Sequence, residues 1–235
     1  MKSIKKTLMA SFLACAAFNA QAEVSPWGYG IKAGAGTSSA VSHSEAKIND
    51  KAIKGNFLDT VCGFGNLYAE YAFTDYIGAK IEGGYLRQGA SLKAGEGDTD
   101  PSISMVSHGI AVPLQLCIYP MGREEEEGIL KVMLGATMHM PLKLTCKADN
   151  NELSLDDKQK KECSGLDLAG ALGVGYELPF GLSMEAKYNY GFLNKFKIEN
   201  KNDQSIYQNV QGLKELHVQH LTVGVGYNFA SLLGE

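Results

Sequence analysis

The chain has 235 residues, 45% of them hydrophobic and 20% charged, with 27 Gly, 6 Pro and a single Trp. That apolar content excludes a disordered chain, the glycines keep no collagen period, and a net charge of −4 argues against a nucleic-acid binder, which would cluster Lys and Arg. Past residue 22 no apolar run reaches the roughly 18–20 residues of a membrane-spanning helix, although the length suits one all-β domain.

Residues 1–22 read as a secretory signal. Lys2, Lys5 and Lys6 make a basic start, Thr7 to Phe18 a short apolar stretch, and Ala20-Gln21-Ala22 a small-x-small cleavage site. Cleavage between Ala22 and Glu23 leaves 23–235 as one domain and takes the formal charge from −4 to −7, because three Lys leave. Cys15 after Phe12-Leu13-Ala14 offers a competing lipoprotein cysteine. The apolar stretch before it is short, and the Ala-Gln-Ala site downstream is better formed.

The mature chain shows period-two alternation in segment after segment and almost no helical period. Strands are expected at 26–37, 57–73, 76–88, 103–119, 128–146, 166–178 and 182–192, with a last one ending at Phe229. In the first, Trp27, Tyr29, Ile31, Ala33 and Ala35 share a face; in the fourth, His108, Ile110, Val112, Leu114, Leu116 and Ile118 do. In the fifth, Leu130, Val132, Leu134, Ala136, Met138 and Met140 oppose Lys131, Met133, Gly135, Thr137 and His139. The sixth sets Leu166, Leu168, Leu172, Val174, Tyr176 and Leu178 against Asp167, Ala169, Ala171, Gly173, Gly175 and Glu177.

Connections alternate in length. Short links fall at 74–75, 120–127 and 179–181, and long polar ones at 38–56, 89–102, 147–163 and 194–215. Eight strands with short turns at one end and long loops at the other is the plan of an outer-membrane barrel, with both termini at the short-turn end. Alternation alone does not say which face is inside, since a soluble lipocalin-like barrel would bury the apolar face. Three features favour the membrane arrangement. The minority face is rich in Gly and Ala, suiting a crowded lumen. It carries Lys32, Lys80, Lys131 and Lys187 beside Glu70, Glu82, Asp167, Glu177 and Glu185, which would have to pair in a narrow interior. Aromatics gather near strand ends, at Trp27, Tyr71, Phe73, Tyr176, Phe192, Tyr227 and Phe229, as an interfacial girdle requires. The expected fold is an all-β, eight-stranded, antiparallel up-and-down transmembrane β-barrel, with an interior wide enough only for side chains.

Several segments carry a family resemblance. Tyr85-Leu86-Arg87-Gln88-Gly89-Ala90 resembles the Y-x-x-x-G-A segment of PorT-like outer-membrane β-barrel domains. Ile110-Ala111-Val112-Pro113-Leu114, followed by Ile118-Tyr119-Pro120, is similar to the family's I-x-x-P-L strand and its Tyr-Pro end, and Leu134-Gly135-Ala136 to the centre of its fifth strand. Gly170 to Tyr176, Glu185 to Gly191 and Val223 to Phe229 resemble its G-x-G-x-G-Y, E-x-x-Y-x-x-G and closing L-G-Y-x-F segments. The resemblance implies fold and place rather than a common activity, with a role in assembling secretion machinery as one possibility by analogy. Here Ala230 to Glu235 follow the last aromatic, a departure that bears on recognition by the assembly machinery.

Four Cys survive signal cleavage. Cys146 and Cys163 bracket a polar loop and are expected to bridge, whereas Cys62 and Cys117 lie at opposite ends of the barrel and are expected to stay free. No catalytic constellation emerges. His139 faces the lumen near the outer rim, where a lipid-A-modifying enzyme would want a general base, yet no nucleophilic Ser stands beside it. His217 and His220, three apart on a strand, point to opposite faces; His43 lies in a loop. Glu96-Gly97-Asp98-Thr99-Asp100 lacks the rest of a calcium-loop pattern, and Glu124 to Glu127 reads as a solvated turn. The Gly-x-Gly pairs sit on strands and read as curvature and close packing rather than phosphate loops. The expectation is a non-enzymatic monomer without cofactor or metal. Its partners would be outer-membrane lipid, the assembly machinery and an extracellular or host ligand for the loops, with no nucleic acid.

Overall fold

Alternation resolves into eight long strands in the computed structural model, which describes residues 25–42, 47–48, 51–52, 54–55, 60–93, 102–123, 128–148, 151–153, 166–192, 210–211 and 216–232. They are β1 (Trp27–Ser42), β2 (Thr60–Ala72), β3 (Ile77–Lys93), β4 (Ser102–Ile118), β5 (Ile129–Ala148), β6 (Asp167–Glu177), β7 (Leu182–Gly191) and β8 (Leu216–Asn228). Each pairs antiparallel with the next, and β8 pairs with β1 from Gly30↔Asn228 to Ser42↔Leu216, so the sheet closes with no free edge. Short strand pieces at Lys47–Ile48, Lys51–Ala52, Lys54–Gly55, Asn151–Leu153 and Val210–Gln211 lie within the long connections.

The start of β1 and the end of β8 share one end with the short turns. A 3₁₀ turn, Phe229–Leu232, follows β8 there. In the β6–β7 turn Gly181 takes φ +90°, and a Cβ on it would meet Ser231 Oγ at 2.1 Å. Only glycine meets both demands. Its carbonyl accepts from the Asn228 amide (2.8 Å), tying this turn to the end of β8.

Several strands run past their expected ends at the long-connection end. β1 continues to Ser42 rather than 37 and β3 to Lys93 rather than 88, while β8 begins at Leu216, directly after the expected 194–215 link. There, residues such as Thr37, Ser38 and Ser39 no longer alternate with apolar ones, so the hydrophobic period fades while the backbone ladder carries on. Two irregularities have local causes. The β3–β4 ladder skips Glu82 and Gly83 opposite Val112 and Pro113, where proline brings no N–H. Between β4 and β5 the register shifts from His108↔Lys143 to Gly109↔Pro141, leaving Leu142 as the extra residue of a bulge.

The apolar face is the outside. Ile31, Leu67, Ile81, Leu114, Leu134, Leu172 and Val223 are all exposed, whereas Lys32, Glu70, Lys80, Glu82, Gln115, Lys131, Glu177 and Lys187 are buried. This is the reverse of a soluble lipocalin-like barrel, whose apolar residues would line a cavity. Rings at strand ends touch in pairs: Trp27–Tyr71 (4.6 Å), Tyr71–Phe73 (5.5 Å) and Tyr227–Phe229 (5.8 Å) at the short-turn end, and Tyr190–Phe192 (6.1 Å) at the other.

Candidate functional site

The lumen is where the described residues bring charges of both signs together, and the strand period puts them there. On β3, Lys80 and Glu82 alternate with outward Ala79, Ile81 and Gly83; on β7, Glu185 and Lys187 alternate with Met184 and Ala186. Facing strands then bring these side chains together in layers.

The middle layer joins three strands' lysines to two glutamates. Glu82 contacts Lys32, Lys187 (3.0 Å) and Lys80 (3.5 Å), while Glu185 contacts Lys32 (2.6 Å), Lys80 (3.3 Å) and Lys187 (3.3 Å). Asn66 Nδ2 donates to the second Glu82 oxygen (3.0 Å). In the orientation that satisfies its neighbours, the Gln115 amide donates to Glu82 (2.9 Å) and accepts from Lys187 (3.2 Å). The layer towards the short turns is complementary: Lys131 bridges Glu70 and Glu177, each at 2.7 Å. Across the two layers four ammonium groups meet four carboxylates. Such charges persist in a dry interior because partners and hydrogen bonds replace the lost water.

Tyr119, Asn228 and Arg123 close the short-turn end. Tyr119 O–H donates to Glu70 (2.9 Å), Asn228 Nδ2 donates to Glu177 (2.8 Å), and Arg123 lies over the Tyr119 ring while donating to the Ser25 carbonyl (3.0 Å). Tyr119 is completely buried. Among the described residues the lumen holds a cavity of about 30 Å³ beside Asn66, Thr137, Lys187 and His220 and one of about 20 Å³ beside Tyr68, Lys80, Lys131 and Glu177. Each has room for little more than a water molecule.

Asp167 stands apart from the other eight charged residues singled out in the sequence. It belongs to an upper layer with Gln88 and His139. The Gln88 amide nitrogen donates to His139 Nδ1 (3.1 Å) and to Asp167 Oδ2 (3.3 Å). Asp167 can only accept, which sets the Gln88 amide nitrogen towards it. A side chain at Gly109 would collide with that ring, its Cβ lying 2.8 Å from Nε2. His220 is buried in the lumen, whereas His217 stacks on Tyr190 outside it (5.8 Å, 16° between planes).

Gln115, Asn66, Gln88, Tyr119 and Asn228 take part in these layers without having been singled out. Asn66 has the parity of Glu70, and Gln88 that of Lys80 and Glu82. Inward parity was therefore the available signal, and attention to charged residues alone passed over it. The signal segment 1–22 with its Ala22/Glu23 junction, Cys163, His43, Glu96–Asp100 and Glu124–Glu127 lie outside the described residues, and so does the Cys146–Cys163 bridge.

Cys62 and Cys117 are free and buried at opposite ends, Cys62 paired in register with Gly36 and Cys117 with Gly78 and Met133. In a chain carrying Cys146→Ser and Cys163→Ser, a membrane-impermeant maleimide is expected to label neither thiol until the barrel is unfolded by boiling in detergent. Rapid labelling of the folded form at Cys62 would mean that the lumen opens at the long-connection end.

The family model for the outer membrane protein β-barrel domain matches residues 7–229. No curated protein sequence matches the chain. Among solved structures it is similar to Ail, the attachment invasion locus protein of Yersinia pestis (16% identity, 88% of this chain and 100% of that one, TM-score 0.39). It is also similar to OprG from Pseudomonas aeruginosa (16%, 87% and 98%, TM-score 0.37) and to Neisserial surface protein A (14%, 85% and 96%, TM-score 0.36).

Proposed function

Because the chain belongs to the outer membrane protein β-barrel domain family and resides in the cell outer membrane, we propose that it is a non-enzymatic barrel whose activity is carried by its long connections. The observation that carries this reading is the filled lumen. Among the described residues, paired charges and the Tyr119–Arg123 floor fill the lumen around two water-sized cavities, which leaves those layers no room for a solute path or a substrate pocket. Function is then left to the surface presented to the medium, in membrane structure, surface interaction or adhesion.

A lipid-A-modifying reaction would need His139 beside an oxygen nucleophile or carboxylate at a gap open to lipid. His139 is only 2% exposed, and at its level β5 is paired on both sides, with Ala111 and with Asp167.

Within the family we place the chain beside the PorT-like barrels, on the Tyr85–Ala90 and Ile110–Pro120 segments. We also assign cleavage between Ala22 and Glu23, a Cys146–Cys163 bridge and a monomeric state. An extracellular or host ligand is taken as the partner of the loops. The test pairs two measurements on the full chain. In planar phosphatidylcholine bilayers the refolded protein is expected to give no conductance steps. On intact cells, protease should cut the long connections while the unboiled band on a denaturing gel still migrates differently from the boiled one. Steady conductance, or turnover of added lipid A by the refolded chain, would sink the reading.

A further inference from the structure

Three basic side chains occupy one row on the outward face. Arg87 pairs across the sheet with His108, and His108 with Lys143, so adjacent strands β3, β4 and β5 each contribute one. Neighbouring strands are about 4.8 Å apart, so the row spans roughly 10 Å, within reach of one phosphate group for side chains of this length. The row directly beneath it, Tyr85↔Ile110↔Met140, is apolar and exposed, and the outward residues below that are Ile81, Leu114, Leu116, Leu134 and Met138.

The height of the row is informative. Arg87 stands ten residues along β3 from Ile77. At about 3.3 Å per residue and a tilt of about 40°, it lies about 25 Å from the short-turn end, the full height of the apolar band of an outer-membrane barrel. Short turns face the periplasm in such barrels. The row therefore sits where the apolar part of the outer leaflet gives way to headgroups.

Local structure aims these groups outward. Strict alternation along β5 would turn Lys143 into the lumen with Lys131, Thr137 and His139. The bulge at Leu142 reverses that parity and sets Lys143, which is exposed, beside His108. Arg87 donates through Nη1 to the Val61 carbonyl of β2 (2.6 Å), on the side of β3 away from His108, and its other N–H groups stay available to a ligand. The Tyr85 hydroxyl is hydrogen-bonded to His108 Nδ1, so Nε2 is the ring nitrogen left to meet a ligand. Among the described residues the salt bridges are all in the lumen, and none involves Arg87, His108 or Lys143.

We propose that Arg87, His108 and Lys143 form a docking site for the phosphate of an outer-leaflet lipid. Lys supplies a point charge, Arg a fork of donors, and His an N–H between them, a set suited to an anionic oxygen cluster lying flush with the barrel wall. Apolar Ile110 and Met140 just below would meet the acyl chains of the same lipid.

Native mass spectrometry of the full chain in uncharged detergent micelles tests this, with bisphosphorylated lipid A as the probe. The chain is expected to retain lipid A in preference to its dephosphorylated form. The triple variant Arg87→Gln, His108→Gln, Lys143→Gln should weaken retention about tenfold while keeping the heat-dependent gel shift. Lys143→Gln alone removes an exposed charge that the sheet does not need, and should weaken retention about threefold. Equal retention of the dephosphorylated lipid, or undiminished retention by both variants, overturns the proposal. So does displacement of lipid A by inorganic phosphate at equal concentration, since the row would then be reading a free anion rather than a lipid.

Discussion

Glu82→Leu is expected to destabilise the folded barrel by about 3–5 kcal/mol, the usual cost of stranding a buried charge. Glu82 is 2% exposed and contacts Lys32, Lys80 and Lys187 together. Its removal leaves three ammonium groups facing Glu185 alone, with Asn66 and Gln115 losing a partner as well. The neighbouring cavities, about 30 and 20 Å³, hold little more than one water each, too few to replace three ion-pair contacts. Urea unfolding in phosphatidylcholine vesicles measures the effect, read through the fluorescence of Trp27, the chain's single tryptophan, which is exposed on the outside of β1. The double variant Lys32→Met, Glu82→Leu restores the layer's original charge balance and should recover most of the loss. A Glu82→Leu midpoint matching the parent's would show that the layer is hydrated and its pairing unimportant.

The extent to which this architecture could be read from sequence follows from what each signal encodes. Period-two alternation reports only on residues that see two different environments, so it located all eight strands where they cross the apolar band. It lost β1 beyond 37 and β3 beyond 88, where Ser38-Ser39 and Gly89-Ala90-Ser91 interrupt the alternation of large apolar and polar residues. The same parity put Lys32, Glu82, Lys187 and the others on one face. Which carboxylate meets which ammonium depends on the stagger between strands, and a single strand carries no record of that. Asp167 shows the consequence: it has the lumen parity of the charged set, but stagger lifts it into a separate layer with Gln88 and His139. The Leu142 bulge was equally invisible. It inserts one residue without a glycine to mark it, and so Lys143 reads as inward until the register is known. Composition favoured one answer to the inside-out question, since charges of both signs shared a face with Gly and Ala, and burial of that face decided it.

Leu134→Arg puts the membrane assignment itself to a test of depth. Leu134 lies five residues along β5 from Ile129, about 13 Å up a band about 25 Å tall, and so near its middle. Its cross-strand neighbours Leu116 and Leu172 are also leucines, and the three are 44–56% exposed. An arginine there has no carboxylate within the row and no water to reach, so it should cost about 2–4 kcal/mol. Val61→Arg, on the same outward face but beyond the level of Arg87, should cost about 0–1 kcal/mol because its guanidinium reaches the headgroups. Folding yields into phosphatidylcholine vesicles, scored by the unboiled band, and urea midpoints for both variants measure the difference. If the outward face met water, neither substitution would matter, since each replaces an exposed apolar side chain with a solvated one. A gradient between the two positions is a property of lipid, and it also locates the plane at which Arg87, His108 and Lys143 meet the headgroups.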